Sequence, residues 1–150
     1  MSIEEEIRGR FRNSYHKGLI NLIYTANQMS YEFVQSLKRH GITDQQYNVL
    51  RVLRGYRCQG PQSIGFIKEH MLDKHSDISR IIDRLYEKGM VSREENPDDR
   101  RQKSVQITEK GLGLLNEIFD CEKESDKLLS NLSPEEIEEL NLLLDKIRMK

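Results

Sequence analysis

Within residues 73–108 the hydrophobic period of the chain changes, and few folds accommodate such a change. Ile78, Ile81, Ile82 and Leu85 fall at i, i+3, i+4 and i+7, which puts them on one face of a helix. Ser76, Asp77, Ser79, Arg80, Asp83 and Arg84 lie off that stripe, an open face of hydrogen-bonding groups. Gly89 follows where a helix end favours positive φ. Beyond it the period drops to two. Met90-Val91-Ser92-Arg93 and Ser104-Val105-Gln106-Ile107 read as strands of a hairpin, with a charged tip at 96–101. Such a helix and hairpin must bury their apolar faces against other parts of the chain.

The preceding segment supplies the partners. Thr43 with Gln46 is a capping-box pattern and opens a helix through Tyr47, Val49, Leu50, Val52 and Leu53. Residues 55–60 read as a loop, and Pro61-Gln62-Ser63 leads into a short helix carrying Ile64, Ile67 and Met71. Three helices followed by a hairpin predict a winged helix-turn-helix, mainly α with a small β-hairpin wing.

Both ends of the chain read as longer helices. Ser2 with Glu5 forms a capping box, and Ile3, Ile7, Phe11, Tyr15, Leu19, Leu22, Ala26, Met29, Phe33 and Leu37 recur at helical spacing up to Gly41. The pattern predicts one helix over 2–40, roughly 55–60 Å long and weakened locally at Gly9 and Gly18. A helix of that length cannot bury its whole stripe within one subunit, so the reading includes a homodimer. Thr108 is placed to cap a helix running through Leu112, Leu115, Ile118, Phe119, Leu128 and Leu129. Ser133, Pro134 and Glu136 then give a second start signal, with Leu132 and Ile137 as a hydrophobic staple and Leu140, Leu143, Leu144 and Ile147 as the stripe. The expected organisation is a single domain: a long dimerisation helix at 1–41, the winged helix-turn-helix at 42–108 and C-terminal dimerisation helices at 109–150.

The net charge is only −1, but it is unevenly distributed. Residues 51–103 hold 12 Lys and Arg against 9 Asp and Glu, whereas 104–150 hold 6 against 11. The basic excess falls on the helix and hairpin. Cys58 and Cys121 are far apart and suggest no disulfide scaffold, which fits a reducing compartment. The N-terminal stretch has no signal-peptide pattern and no apolar run is long enough to span a membrane, so a cytoplasmic protein is expected. His16, His40, His70 and His75 show no metal-ligand spacing, and no phosphate loop or nucleophile motif is present, so no enzyme and no cofactor are expected.

Residues 81–111, IIDRLYEKGMVSREENPDDRRQKSVQITEKG, resemble the hallmark of the MarR family of bacterial and archaeal transcription regulators. The likeness rests on DRL-x-x-KG, on the strand start Met90-Val91, on Asp99 and Arg101 at the wing and on Ile107-Thr108-Glu109-Lys110-Gly111. The flanking helix order extends it over nearly the whole chain. Where many relatives have Leu-Gly-Leu before the reading helix, this chain has Met71-Leu72-Asp73. The resemblance implies a cytoplasmic, prokaryotic homodimer that binds a pseudo-palindromic operator in double-stranded DNA. It also implies a repressor released by a small ligand, with the recognition helix in the major groove and the wing at the minor groove.

Major-groove readout calls for short polar side chains near the helix start and for Arg or Lys toward guanine edges and phosphates. That selects Ser76, Asp77, Ser79, Arg80 and Arg84 on the helix, with Lys74 and His75 at its start as phosphate contacts. At the wing the resemblance implies that Arg101 reaches toward the minor groove, braced by Asp99, with Arg100 and Lys103 as further DNA contacts. Gln62 and Ser63, ahead of a helix, are candidates for phosphate contact. The plain alternative for the two helix arginines is surface pairing with Asp77, Asp83 or Glu87. Relatives often bind small aromatic effectors, for which Tyr15, His16, Tyr24 and Tyr47 are candidates here, although aromatics at helical spacing also serve as plain core. The rival function is a winged helix used as a protein-interaction module without specific DNA binding.

Overall fold

In a computed structural model, all residues are described except Asn96, Pro97, Arg100 and Arg101, and except the side chain of Cys121. The chain divides into two compact units, Ser36–Glu124 and the pair of segments Met1–Gln35 and Ser125–Lys150.

The central unit holds α3 (Asp44–Gly55), α4 (Ile64–His70), α5 (Ile78–Glu87), α6 (Glu109–Glu117) and most of α7 (Phe119–Asp126). Its sheet comprises β1 (Gln62–Ser63), β2 (Val91–Glu95) and β3 (Lys103–Ile107), antiparallel throughout in the order β1-β3-β2. Arg93 pairs with Val105 and Glu95 with Lys103, while Gln62 pairs with Val105 on the other edge. Val105 and Ile107 point inward with Gln106 outward, so a one-residue slip of register would expose both apolar side chains. They join Val49, Leu50, Leu53, Ile67, Ile82, Leu85 and Leu115 in the buried core. The winged helix expected from the sequence is present, with β1 as an addition. That strand is only two residues long, below what an alternation pattern reveals.

Local signals place the helix ends. Thr43 Oγ1 accepts the Gln46 N–H at 3.1 Å, and the Gln46 side chain returns to the Thr43 N–H at 3.2 Å, closing the expected box. Thr108 Oγ1 likewise accepts from Gly111. Gly89, at φ 73°, ends α5 in a Schellman motif: Met90 N–H donates to Leu85 O and Gly89 N–H to Tyr86 O, both at 2.9 Å. Gly111 is required for a different reason. A Cβ there would collide with the Met90 carbonyl oxygen and lie 2.8 Å from Ile107 Cγ1. Only a bare α-carbon lets α6 start this close to the strand entrance.

The other unit corrects the expectation of one continuous helix over 2–40. The chain forms α1 (Ile3–Ile7) and α2 (Ser14–Lys38) with a non-helical connector between them. Arg8 turns into the left-handed region at φ 49° and ψ 37°, immediately before Gly9. Asn13 Oδ1 then takes the His16 N–H at 2.9 Å and starts α2 afresh. The apolar period runs unbroken through the connector, but a period alone does not hold the backbone helical where glycine and a competing cap offer a turn. α1 is tied to α2 by a Lys17–Glu4 ion pair at 2.5 Å and by the Tyr24 hydroxyl donating to Glu6 at 3.2 Å.

The predicted helix after Thr108 is also divided. Ile118, fully buried, has φ −90° and ψ 6°, and its N–H turns back to Leu114 and Asn116. It separates α6 from α7, which ends in a 3-10 turn at Lys127–Leu129. Pro134–Arg148 forms α8 from the expected cap, with Ser133 Oγ accepting from Glu136 at 3.3 Å.

Candidate nucleic-acid interface

α5 buries Ile78, Ile81, Ile82 and Leu85 and turns Ser79, Arg80, Asp83 and Arg84 outward. Its lead-in is built by the residues that depart from the family pattern. Met71 is extended and buried, Leu72 is exposed, and Asp73 Oδ1 accepts the His75 N–H at 2.9 Å in an Asx turn. Asp77 is the N-cap, its Oδ1 accepting the Arg80 N–H at 3.3 Å.

The expected reading face is corrected at its N-terminal edge. Lys74 and His75, expected at the helix start, lie in the turn before it, and the Lys74 ammonium donates to the Glu69 carbonyl at the end of α4. Ser76 is not on the open face. It is 5% exposed and its hydroxyl has no hydrogen-bond partner among the described residues. The Asx turn at Asp73 rotates Ser76 inward, a rotation that helical phase extrapolated backward from Ile78 does not capture.

Charge on the outward face is sorted by local partners. Asp77 is engaged as a cap. Asp83 pairs with Arg93 of β2, whose guanidinium also lies 3.9 Å over the Tyr86 ring. Among the described residues, Arg80 and Arg84 make no ion pair with Asp77, Asp83 or Glu87, so the plain alternative for them does not hold. Two arginines one turn apart therefore remain available to an anionic partner. The Arg93 contact, which fastens the hairpin to α5, was not singled out from the sequence. Its one hint there is that Asp83 and Tyr86 stand at i and i+3 on one helix face.

The far end of α5 is fastened as well. Lys110 Nζ donates to the Lys88 carbonyl at 2.8 Å, and Lys88 Nζ donates to the Gly41 carbonyl at 3.0 Å. Cations at these C-terminal carbonyls suit the negative ends of both helices.

At the wing, Arg100 and Arg101 lie outside the described residues. Asp99 is exposed near the tip and its carbonyl accepts the Gln102 N–H at 3.0 Å. Lys103 is half-buried at the start of β3. Ser63 caps α4 by accepting the Phe66 N–H at 3.1 Å, and Gln62 donates to the Gly60 carbonyl at 3.2 Å, so both side chains are already engaged within the chain.

The aromatic residues considered for an effector have separate surroundings. Tyr15 is 89% exposed. His16 Nδ1 accepts the Arg12 N–H, and its ring meets Phe11 edge-on. Tyr24 is bonded to Glu6 and Gln28, and a groove of about 450 Å3 along α2 is lined by Tyr24 and Tyr31. Tyr47 belongs to the core of the central unit, where its hydroxyl donates to Glu122 Oε1 at 2.8 Å and Arg54 shares that carboxylate at 3.3 Å. Burial and the anionic Glu122 push the Tyr47 phenol well above its usual pKa. Tyr47 is thus a structural tyrosine in this conformation.

Among the described residues no cluster of His, Cys, Asp and Glu has the makings of a metal site, and no helix is long and apolar enough to cross a membrane.

Comparison with known proteins agrees with this arrangement. The MarR family profile matches residues 42–103. Over 112 residues the chain is 37% identical to the HTH-type transcriptional regulator MhqR of Bacillus subtilis (strain 168), spanning 74% of this chain and 75% of that protein. The S. aureus MepR–DNA complex matches with a TM-score of 0.75 at 25% identity, over 92% of this chain and 97% of that one. A mutant MarR from E.coli complexed with operator DNA matches with a TM-score of 0.71 at 27% identity, over 88% and 94%.

Proposed function

The chain belongs to the MarR family, and on that premise we propose that it is a homodimeric repressor that binds a pseudo-palindromic operator and is released by a small ligand. The matched relatives are transcription regulators, not enzymes, and two similar structures hold DNA. The observation that carries the reading is the outward face of α5. Among the described residues Arg80 and Arg84 make no ion pair there, with Ser79 beside them and a hairpin fastened alongside through Arg93. Ser79 and Arg80 are the readers of base edges, and Arg84 spans bases and backbone. The wing, through Arg100, Arg101 and Lys103, reaches the minor groove, where narrow A·T tracts attract guanidinium. Phosphate contacts from Lys74 and His75 complete the footprint.

The dimer is supported by apolar surface outside the central unit. Leu19, Leu22, Ile23 and Tyr31 of α2 and Leu142, Leu143 and Ile147 of α8 are all exposed in the single chain. A two-fold pair would set its recognition helices about 34 Å apart, one turn of DNA. Release by a small aromatic ligand rests on the family resemblance. Within the chain, Tyr15 and Tyr31 are open to such a ligand, and Tyr47 is not.

The test is selection of bound fragments from the source genome, followed by titration of the selected site at several salt concentrations. Recovery of a palindromic site, bound about 10³-fold or more above random DNA with steep salt dependence, supports the reading. Salt-insensitive binding, or no preference over random DNA, would leave a protein-interaction module instead.

A further inference from the structure

The helix on which the chain leaves the central unit carries a polar tie that the DNA-facing surface does not use. The boundary between the two units falls inside α7, between Glu124 and Ser125. Among the described side chains at 119–124, Glu122 alone is not exposed. Its Oε1 accepts the Tyr47 hydroxyl at 2.8 Å and the Arg54 guanidinium at 3.3 Å. Tyr47 is 7% exposed, and Arg54 stands two turns further along the same face of α3. We propose that Glu122 is a positioning residue: its bonds to Tyr47 and Arg54 fix the heading of α7 as it leaves the central unit, and so the half-site spacing that the dimer accepts. The inference rests on the reading of an operator-binding homodimer and adds to it a residue that selects the spacing.

The tie holds a direction that apolar packing leaves open. Leu115 and Ile118 are fully buried and anchor α6 and the kink after it. Beyond the kink Phe119 is 49% exposed, and no described apolar side chain of α7 is buried before the boundary. An apolar contact survives a small slide or roll, whereas a hydrogen bond needs about 2.7–3.2 Å and a nearly linear donor. Slippage of α7 by one residue would move the carboxylate by about 1.5 Å and about 100°, away from both donors. Tyr47 stays a donor at neutral pH, because burial and the Glu122 carboxylate push its phenol up. The Glu122 side chain is only 21% exposed, and a carboxylate so far withdrawn from water is costly without its donors. The closed arrangement is therefore favoured over a swung α7. In a two-fold dimer a swing at one joint is repeated at the other, so it acts twice on the separation of about 34 Å between recognition helices.

The experiment measures affinity for a series of selected operators whose half-sites are moved apart or together by single base pairs, with an isolated half-site titrated beside them. Wild type should show one preferred spacing. A displaced spacing obliges it to break the tie, so the penalty includes about tenfold, the size of a hydrogen bond to a charged group. In Glu122→Leu the tie is already gone, and the ratio of affinities at the preferred and displaced spacings should fall about tenfold. Tyr47→Phe loses the shorter of the two bonds, and its ratio should fall several-fold. Half-site affinity should be unchanged in both. Glu122→Gln, whose amide oxygen still accepts the phenol, should keep the wild-type ratio. A role in stability alone would lower the folded fraction and scale every affinity equally, leaving the ratio where it was. Tyr47→Phe keeps the ring and its packing, and it carries the test if Glu122→Leu does not fold. A wild type indifferent to spacing, or an unchanged ratio in Tyr47→Phe, overturns the proposal, as does a ratio in Glu122→Gln as low as in Glu122→Leu. Failure of the wild type to bind any selected operator would instead refute the parent reading.

Discussion

On α5 the four residues of the apolar stripe are 0% to 7% exposed, whereas on α2, built on the same helical period, Tyr15 is 89% exposed, Leu19 55% and Ile23 48%. Of the 25 residues of α2 only Leu37 is buried. The period identifies which face of a helix is apolar, and it says nothing about what covers that face. For α5 the cover is its own unit, through α3, α4 and the sheet. For α2, a second copy of the chain is the cover we propose.

The largest effect should come from Leu85→Ala on α5. Removing a fully buried leucine costs about 2–5 kcal/mol, read as a drop in the denaturation midpoint, and operator binding is lost with the fold. Replacing Leu19 and Ile23 of α2 together by serine should behave in the opposite sense. Chemical denaturation of the central unit changes little, while sedimentation shows half the native mass and the operator is bound weakly. An unchanged mass would mean that the exposed stripe of α2 does not carry the dimer. Gly111→Ala tests the junction behind α5: the added methyl meets the Met90 carbonyl, and about 1–3 kcal/mol of stability should go. Arg93→Ala should be mildest in stability, under about 1 kcal/mol for a partly exposed pair, yet it should weaken operator binding by loosening the hairpin from α5. Equal affinity in Arg93→Ala would remove Arg93 from the interface.

What the sequence revealed follows the same division between local and distant causes. The boxes at Ser2, Thr43 and Ser133, the stop at Gly89 and the alternation of β3 are decided within a few residues, and each is found where expected. The gap between α1 and α2 and the kink at Ile118 lie inside unbroken apolar periods, where competing caps and packing decide the backbone. Ser76 is the instructive case at the site. Its polarity placed it on the reading face, but the turn built by Asp73 rotates it inward. Among the described residues Arg80 and Arg84 make no ion pair, while Asp83 pairs with Arg93, a partner contributed by another element. Arg100 and Arg101 at the wing rest on the family resemblance, since they lie outside the described residues.

The connector between α1 and α2 carries Arg8, Arg10 and Arg12, all exposed and none in a helix. An enzyme that cuts after arginine needs extended, accessible backbone, and the ordered helices on either side deny it that. Mild tryptic digestion should therefore first release a short N-terminal peptide holding α1. The remaining fragment keeps every element of the winged core, so a gel shift on the nicked protein would separate what the first turn of the chain contributes from what the DNA-facing helix does alone.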